Sequence, residues 1–352
     1  MNASMTRVLL ASLLSGCLLC CGKGSWREYT QNKRGYERQL VCEESIWDVV
    51  FAVSQDRRQA IGGNLSGGKF RLIDLESGNV VRSMDMRVKS TQSVSFLSDG
   101  RRAVLGTDDG AVHLWDLEEG KEIAAPKVHR DYVRAVACSR KGDMAVSGGD
   151  EGFIVLWDPK EQMREIGKFA GRNPGIRRLT FDGSGKRVLS GHWDGAIRLW
   201  DTGTGRQIVC LNSSAYSDDV MSIALSLDGR FALSSYLGKQ SVVYWDLEKG
   251  MVINRLEIGG HPTLANRPLH VASVAFSADG RKALFGTAFG SVIYWDLATW
   301  REIDHNRVHK ARLEFVSFSE DEKSCISVGC DANPEGSHMV AIRWWPLPQG
   351  HL

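Results

Sequence analysis

The chain has 352 residues, 44 of them basic and 42 acidic, for a formal charge of +2. A balance this even creates no global field for a polyanion and argues against a nucleic-acid partner. The length would permit two domains, but a repeat described below uses nearly all of it, so one domain is expected.

The first residues do not read as part of a fold. Met1 to Arg7 is short and carries one basic residue, Val8 to Leu14 is apolar, and Leu14-Ser15-Gly16-Cys17 follows. This is the layout of a targeting segment. The apolar stretch is short for a spanning helix, even when extended through Cys21. The four-residue string resembles a bacterial lipobox, which implies cleavage and lipidation at Cys17. An uncleaved anchor, an ordinary signal peptide or a start placed too early are the other readings. Residues 1–21 are therefore expected as signal and lipobox, and 22–35 as a polar, basic linker containing Lys23, Arg27, Lys33 and Arg34. Residues 36–352 remain for the folded domain.

Within that domain a Trp-Asp pair returns five times, at Trp115-Asp116, Trp157-Asp158, Trp200-Asp201, Trp245-Asp246 and Trp295-Asp296. Degenerate copies at Phe70–Asp74 and Ala341–Trp345 bring the count to seven. A period of about 40 to 45 residues ending in Trp-Asp is that of a four-stranded blade, which can bury its apolar faces only against neighbouring blades. Each unit holds alternating apolar runs separated by turns such as Ser98-Asp99-Gly100, Leu227-Asp228-Gly229 and Ala278-Asp279-Gly280, the chemistry of hairpins. In Ala196–Trp200, period two places Ile197 and Leu199 on one face and Ala196, Arg198 and Trp200 on the other.

On these residues the chain resembles the WD-repeat propeller family over roughly residues 36 to 346. The resemblance implies an all-β fold, a single seven-bladed WD-repeat β-propeller closed by an N-terminal strand, for which Tyr36 to Val41 is in place. It also implies a buried hydrogen-bond chain within blades, from a loop His to a turn Asp, a strand Ser or Thr and the Trp indole. Blade three matches with His129, Ser147, Glu151 and Trp157, with Glu in place of Asp. Blade four supplies Ser190, Asp194 and Trp200 but has Arg172 where the His is expected. Blade two has Thr107, Asp109 and Trp115 without a His. Blade seven offers His309, Ser327 and Trp345, with an enlarged turn around Asp331. Ser, His and Asp also make a hydrolase triad, but one active site would not repeat them with the blade period. Neither a Gly-x-Ser-x-Gly elbow nor a His-Glu-x-x-His helix is present. No catalytic, cofactor-binding or metal-ligating residue is assigned, and no cofactor is expected.

Of the eight cysteines, Cys17, Cys20 and Cys21 belong to the targeting region, and Cys42, Cys138, Cys210, Cys325 and Cys330 are scattered without metal or haem spacing. Cys138 and Cys210 read as small apolar strand residues. Cys42 and Cys330 both fall where blades one and seven meet, where a bridge would fit.

The resemblance places partner binding on the face made by the loops entering each blade and by the turns between second and third strands. The candidates there are Trp47, Tyr132, Arg134, Arg177, Trp193, His270, Arg312 and Glu314, rich in the Trp, Tyr and Arg types that dominate interfaces. Two insertions, Gly259 to His270 and Cys330 to Met339, fall on adjacent blades of that face; such loops either carry function or simply vary. The expected function is a non-enzymatic scaffold for a protein or peptide, monomeric and lipid-tethered in the bacterial cell envelope. The alternatives are an envelope-assembly factor holding outer-membrane clients, a cytoplasmic scaffold, and an enzyme using the central channel.

Overall fold

The computed structural model describes residues 26–30, 38–42, 49–64, 68–86, 88, 90–169, 174–212, 218–237, 239, 241–258, 270–319, 321–332 and 338–348. It is an all-β ring of seven antiparallel sheets. Six sheets run in chain order from the channel outward, as in blade four with Ile176–Phe181, Arg187–His192, Ala196–Asp201 and Gln207–Asn212. The seventh combines Leu313–Phe318, Ser324–Ala332 and His338–Pro346 with the N-terminal strand Arg38–Cys42. The closing strand is thus present, one to two residues from its expected bounds. Beyond it lies Trp26–Thr30, paired with Arg38–Cys42. This fifth strand falls inside the stretch expected as linker; pairing satisfies an edge that the closing strand would otherwise leave open.

Each blade interface holds one apolar cluster. Ile197 and Leu199 pack with Leu225, Tyr236 and Trp245 of blade five, while Trp200 packs with Leu156 and Phe169 of blade three. The two faces of the strand therefore serve two different neighbours, as the alternation requires. The ring closes through Ala60, Ile73 and Leu75 against Ile326, Val328, Val340 and Ile342. Truncating a buried aromatic such as Trp157 to Ala would cost about 3–5 kcal/mol.

The Asp of each Trp-Asp pair ties the turn to the outer strand. Asp201 Oδ1 accepts from Thr204 N at 2.8 Å, Asp246 Oδ1 from Lys249 N at 2.9 Å and Asp296 Oδ1 from Thr299 N at 2.7 Å. At the first turn of blade two, Asp99 Oδ1 accepts from both Arg101 N and Arg102 N, and Gly100 takes a φ of 65° that favours glycine.

The strand register rules out the Cys42–Cys330 bridge. Both residues pair with Val340, from opposite sides of one strand. Two strand spacings separate them by about 9–10 Å, beyond the ~7 Å that a disulfide can span. Among the described residues no helix is long and apolar enough to cross a membrane. Cys17 and the rest of the signal segment lie outside the described residues.

Candidate functional site

The repeated Ser residues lie in the blade interiors. Ser147 Oγ accepts from Trp157 Nε1 at 2.9 Å and contacts His129 Nε2 at 2.8 Å. Ser327 Oγ likewise meets Trp345 Nε1 at 3.2 Å and His309 Nε2 at 2.9 Å. Ser147, Ser190 and Ser327 are 0% exposed, so none can present a nucleophile to a substrate. They are hydrogen-bond hubs that join a loop to the outer Trp.

Glu151 takes the turn position of blade three as expected. Its Oε1 accepts from Arg130 N and Asp131 N, and its Oε2 lies 3.4 Å from His129 Nδ1. Blade four departs from the expectation. His192, two residues after Ser190, contacts Ser190 Oγ through Nε2 at 2.8 Å, and Trp200 Nε1 donates to the same oxygen at 2.8 Å. Asp194 stays outside this chain and pairs with Arg198 at 2.7 Å. Arg172 lies outside the described residues. Blade five repeats the arrangement with Ser234, Tyr236 and Trp245. The signal for His192 and Tyr236 was a polar or aromatic residue at i+2 on the same strand face as the Ser.

Blade two also differs. Thr107 bonds Asp109 at 2.6 Å and His113 Nε2 at 3.2 Å, but the Trp115 indole has no hydrogen-bond partner. Strand pairing explains the difference, because Leu105 holds the place that Ser147 holds in blade three. Phe285 holds it in blade six, and Trp295 Nε1 is likewise unpaired.

In blade seven an unforeseen arginine enters the chain. Arg343, 3% exposed, bonds Asp331 and Val308 O and lies 3.0 Å from His309 Nδ1. Arginine can only donate, so Nδ1 accepts and Nε2–H points to Ser327. In blade four His192 Nδ1 faces the Pro174 carbonyl at 2.9 Å, so the assigned tautomer is the opposite one. Burial, together with Arg343, drives the His309 imidazole down to about 3, and burial drives His192 to about 4.

The exposed candidates gather at one mouth of the channel because of a repeated irregularity. In blades two to seven the inner strand skips a residue in its pairing, at Gln92, Arg134, Arg177, Met221, Ala272 and Glu314. Such bulges re-aim the side chain that they carry. Three of the sequence candidates are therefore bulge residues on one rim. Arg134 makes a two-pronged pair with Asp150 at 2.8 and 3.0 Å and donates to Gln92 at 3.1 Å. Its guanidinium carbon lies 4.2 Å from the Tyr132 ring centre and 5.9 Å from that of Trp193. The Arg177 guanidinium carbon also lies 6.0 Å from the Trp193 ring centre, and Arg177 reaches Asp219 at 3.4 Å. Tyr132, Arg134, Trp193 and Arg177 thus form one cation–aromatic cluster across blades three and four. Arg312 and Glu314 pair at 2.9 Å on blade seven, and burial plus nearby Arg312 lower the His270 imidazole.

Trp47 lies outside the described residues, as does most of Gly259 to His270. The blade-seven insertion is partly a longer hairpin, paired out to Ala332 and His338. At the opposite end the channel widens into a cavity of about 600 Å³ lined by Phe96, Cys138, Phe181, Phe276 and Phe318, among others. Burial pushes the Cys138 thiol up to about 12, which leaves it unreactive. Among the described residues no group of three His, Cys, Asp or Glu side chains could hold a metal ion.

Residues 120–158 and 163–201, two repeats that each run from the outer strand of one blade through three strands of the next, match the family model described as WD domain, G-beta repeat. The chain is also similar to Autophagy-related protein 16 of Arabidopsis thaliana, 27% identical over 48% of this chain and 30% of that protein. It is 29% identical to the guanine nucleotide-binding protein subunit beta of Arabidopsis thaliana, over 41% of this chain and 37% of that protein. Small ribosomal subunit protein RACK1 of Medicago sativa is 28% identical over 37% of this chain and 42% of that protein. The chain spans less than half the length of each of these relatives. Fold, repeat and likeness agree on a seven-bladed propeller with repeats similar to those of WD-repeat proteins.

Proposed function

We propose that this WD-repeat propeller is a non-enzymatic, monomeric scaffold that binds a protein or peptide on the face bearing the channel mouth. The observation that carries the reading is Trp193, a large aromatic 36% exposed and flanked by the guanidinium groups of Arg134 and Arg177. A rigid, half-exposed aromatic between arginines is the composition of an interface anchor. The relatives support a binding role, since one is a guanine nucleotide-binding protein subunit and another a small ribosomal subunit protein. The Cys17 string supports tethering of the scaffold through lipid on the exported side of a bacterial membrane. One acyl chain binds reversibly, at about 0.8 kcal/mol per buried methylene, and two anchor stably.

The test is capture of partners from the native host by tagged full-length protein, against a Tyr132→Ala, Trp193→Ala double variant. Loss of a specific partner with an unchanged melting temperature supports the site; equal capture sinks it. Fractionation and intact mass test the tether separately. A diacylated or triacylated species beginning at Cys17 in the membrane fraction supports it, whereas an unprocessed Met1 in the soluble fraction returns the protein to the cytoplasmic reading.

A second reading, a holder of outer-membrane clients acting by strand addition, draws on the rim. Outer strands of blades one to six each expose a large apolar side chain, among them Val81, Ile166, Ile208 and Met251. Open edge strands of this kind can pair with an added strand. Broad capture of unfolded barrel proteins, insensitive to Trp193→Ala, would favour it.

A further inference from the structure

The arginines at the channel mouth are not all paired. Arg134 pairs with Asp150, Arg177 with Asp219, and Arg312 with Glu314. Arg178 forms no ion pair among the described residues; its one hydrogen bond runs from Nη1 to the carbonyl of its neighbour Arg177 at 2.9 Å. Arg178 is therefore a guanidinium at the mouth that no carboxylate among the described residues pairs.

The position of that charge is unusual for this ring. Strand register aligns Arg178 with Ser93, Ser222 and Ser273, each the residue that follows the bulge of its inner strand. Those serines accept from backbone N–H groups of the next blade's inner strand, Val136, Val274 and Val316, at 3.1 to 3.2 Å. They satisfy the strand edges that line the channel. In blade four an arginine takes this place, and its charge interacts with Arg312 and Glu314 of blade seven, across the ring. A long cation thus projects inside the mouth where three other blades keep a hydroxyl. Burial, helped by Arg177 and Arg312, lowers its guanidinium to about 10, which still leaves it charged at neutral pH.

A second group at the mouth is also short of partners. Arg177 Nε is buried without a hydrogen-bond partner, and the pair of Arg177 with Asp219 is long at 3.4 Å. Buried donors are nearly always satisfied, so such a group calls for an explanation. A single anion seated against Arg178 would pair its guanidinium and give Arg177 an acceptor to turn toward. The rest of the rim indicates what carries the anion. The Trp193 ring lies 6.0 Å from the Arg177 guanidinium carbon, and the bulge residues Met221 and Ala272 of blades five and six carry no charge. An acidic side chain within a peptide that also offers apolar residues fits this surrounding better than a polyanion, which would need a row of unpaired cations.

We propose that the channel mouth is a binding site for one anionic side chain of an extended peptide, a carboxylate or a phosphate, held by Arg178 with Arg177. The proposal rests on the scaffold reading above and supplies the chemistry of the partner. Arginine suits this task because its planar fork bonds carboxylate and phosphate oxygens in pairs.

The test is fluorescence anisotropy of the full-length protein with a short fluorescein-labelled peptide whose aromatic residues flank one central position. That position is glutamate, phosphoserine, serine or lysine in the four versions. Tighter binding of the glutamate or the phosphoserine version than of the serine version is expected, and the tighter of the two names the source of the anion. Arg178→Gln should weaken that version at least about tenfold and leave the serine version unchanged. If Arg178→Gln does not fold, Arg178→Lys serves: it keeps the charge but loses the fork, and intermediate affinity is expected. Absence of saturable binding by either anionic peptide overturns the proposal, as does equal binding to wild type and the glutamine variant. A native partner lost on the Tyr132→Ala, Trp193→Ala background while both anionic peptides fail would sink this inference and leave the scaffold standing.

Discussion

Gly329 and His309 compete for one space. A Cβ built on Gly329 would lie 2.7 Å from His309 Cγ, so the loop histidine of blade seven reaches Ser327 only because the strand carries no side chain there. Gly149 holds the same place in blade three, where an added Cβ would overlap the Tyr132 carbonyl as the loop brings His129 in. Blades four and five solve the problem from the other side. At that register they carry His192 and Tyr236, which reach their own hub serines at 2.8 and 3.0 Å. The polar partner of the hub thus comes from the loop with glycine on the strand, or from the strand itself.

Gly329→Ala should therefore displace His309 and remove one hydrogen bond from each of Ser327 and Arg343, which keep Trp345 and Asp331 as partners. The expected cost is about 2–4 kcal/mol, from overpacking together with a lost buried bond. Chemical denaturation of the two proteins measures it. A change within about 0.5 kcal/mol would mean that the loop gives way without cost.

The unequal hubs predict unequal tryptophans. Trp157 donates to Ser147, whereas the Trp115 indole is unpaired. Trp157→Phe should cost about 1 kcal/mol more than Trp115→Phe, since both lose similar area and only one loses a buried hydrogen bond. Equal losses in parallel urea titrations would show that the bond contributes nothing net.

Stability should fall between pH 6.5 and 4 for a reason that can be isolated. His309, His192 and His129 all have folded pKa values below the ordinary 6.5, chiefly through burial, at about 3 and about 4 for the first two. The folded state then binds fewer protons than the unfolded one. The contribution is fully present above the unfolded value and is lost as pH falls through 6.5 toward the folded values. At pH 5 the loss amounts to about 2 kcal/mol for each of the two most depressed histidines. Carboxylates such as Asp331 and Glu151, held low, lose their contribution only nearer pH 4 and below. His192→Gln should remove its share of the slope between pH 6.5 and 4 in melting curves; an unchanged slope would place the titration elsewhere.

Local chemistry along the chain was enough to determine the ring. The Trp-Asp period, the Asp-Gly turns and the period-two alternation of Ala196–Trp200 specify blades, because a blade's strands pair with near neighbours and its apolar faces must meet the next copy. The hubs of blades three and seven were legible for the same reason, as repeats of one pattern. What repeats do not encode is which side chain fills a space that two segments share. Only packing decided that His192 and Tyr236 replace a loop histidine, that Leu105 and Phe285 leave two indoles unpaired, and that Arg343 reverses the tautomer of His309. The mouth is a matter of closure as well. Arg134, Arg177 and Glu314 were visible as residues on the expected face, but the bulges that turn them onto one rim are properties of paired strands. Arg178 gave no sign in the sequence that no carboxylate would pair with it, since the residues it faces come from blades brought together by the closed ring.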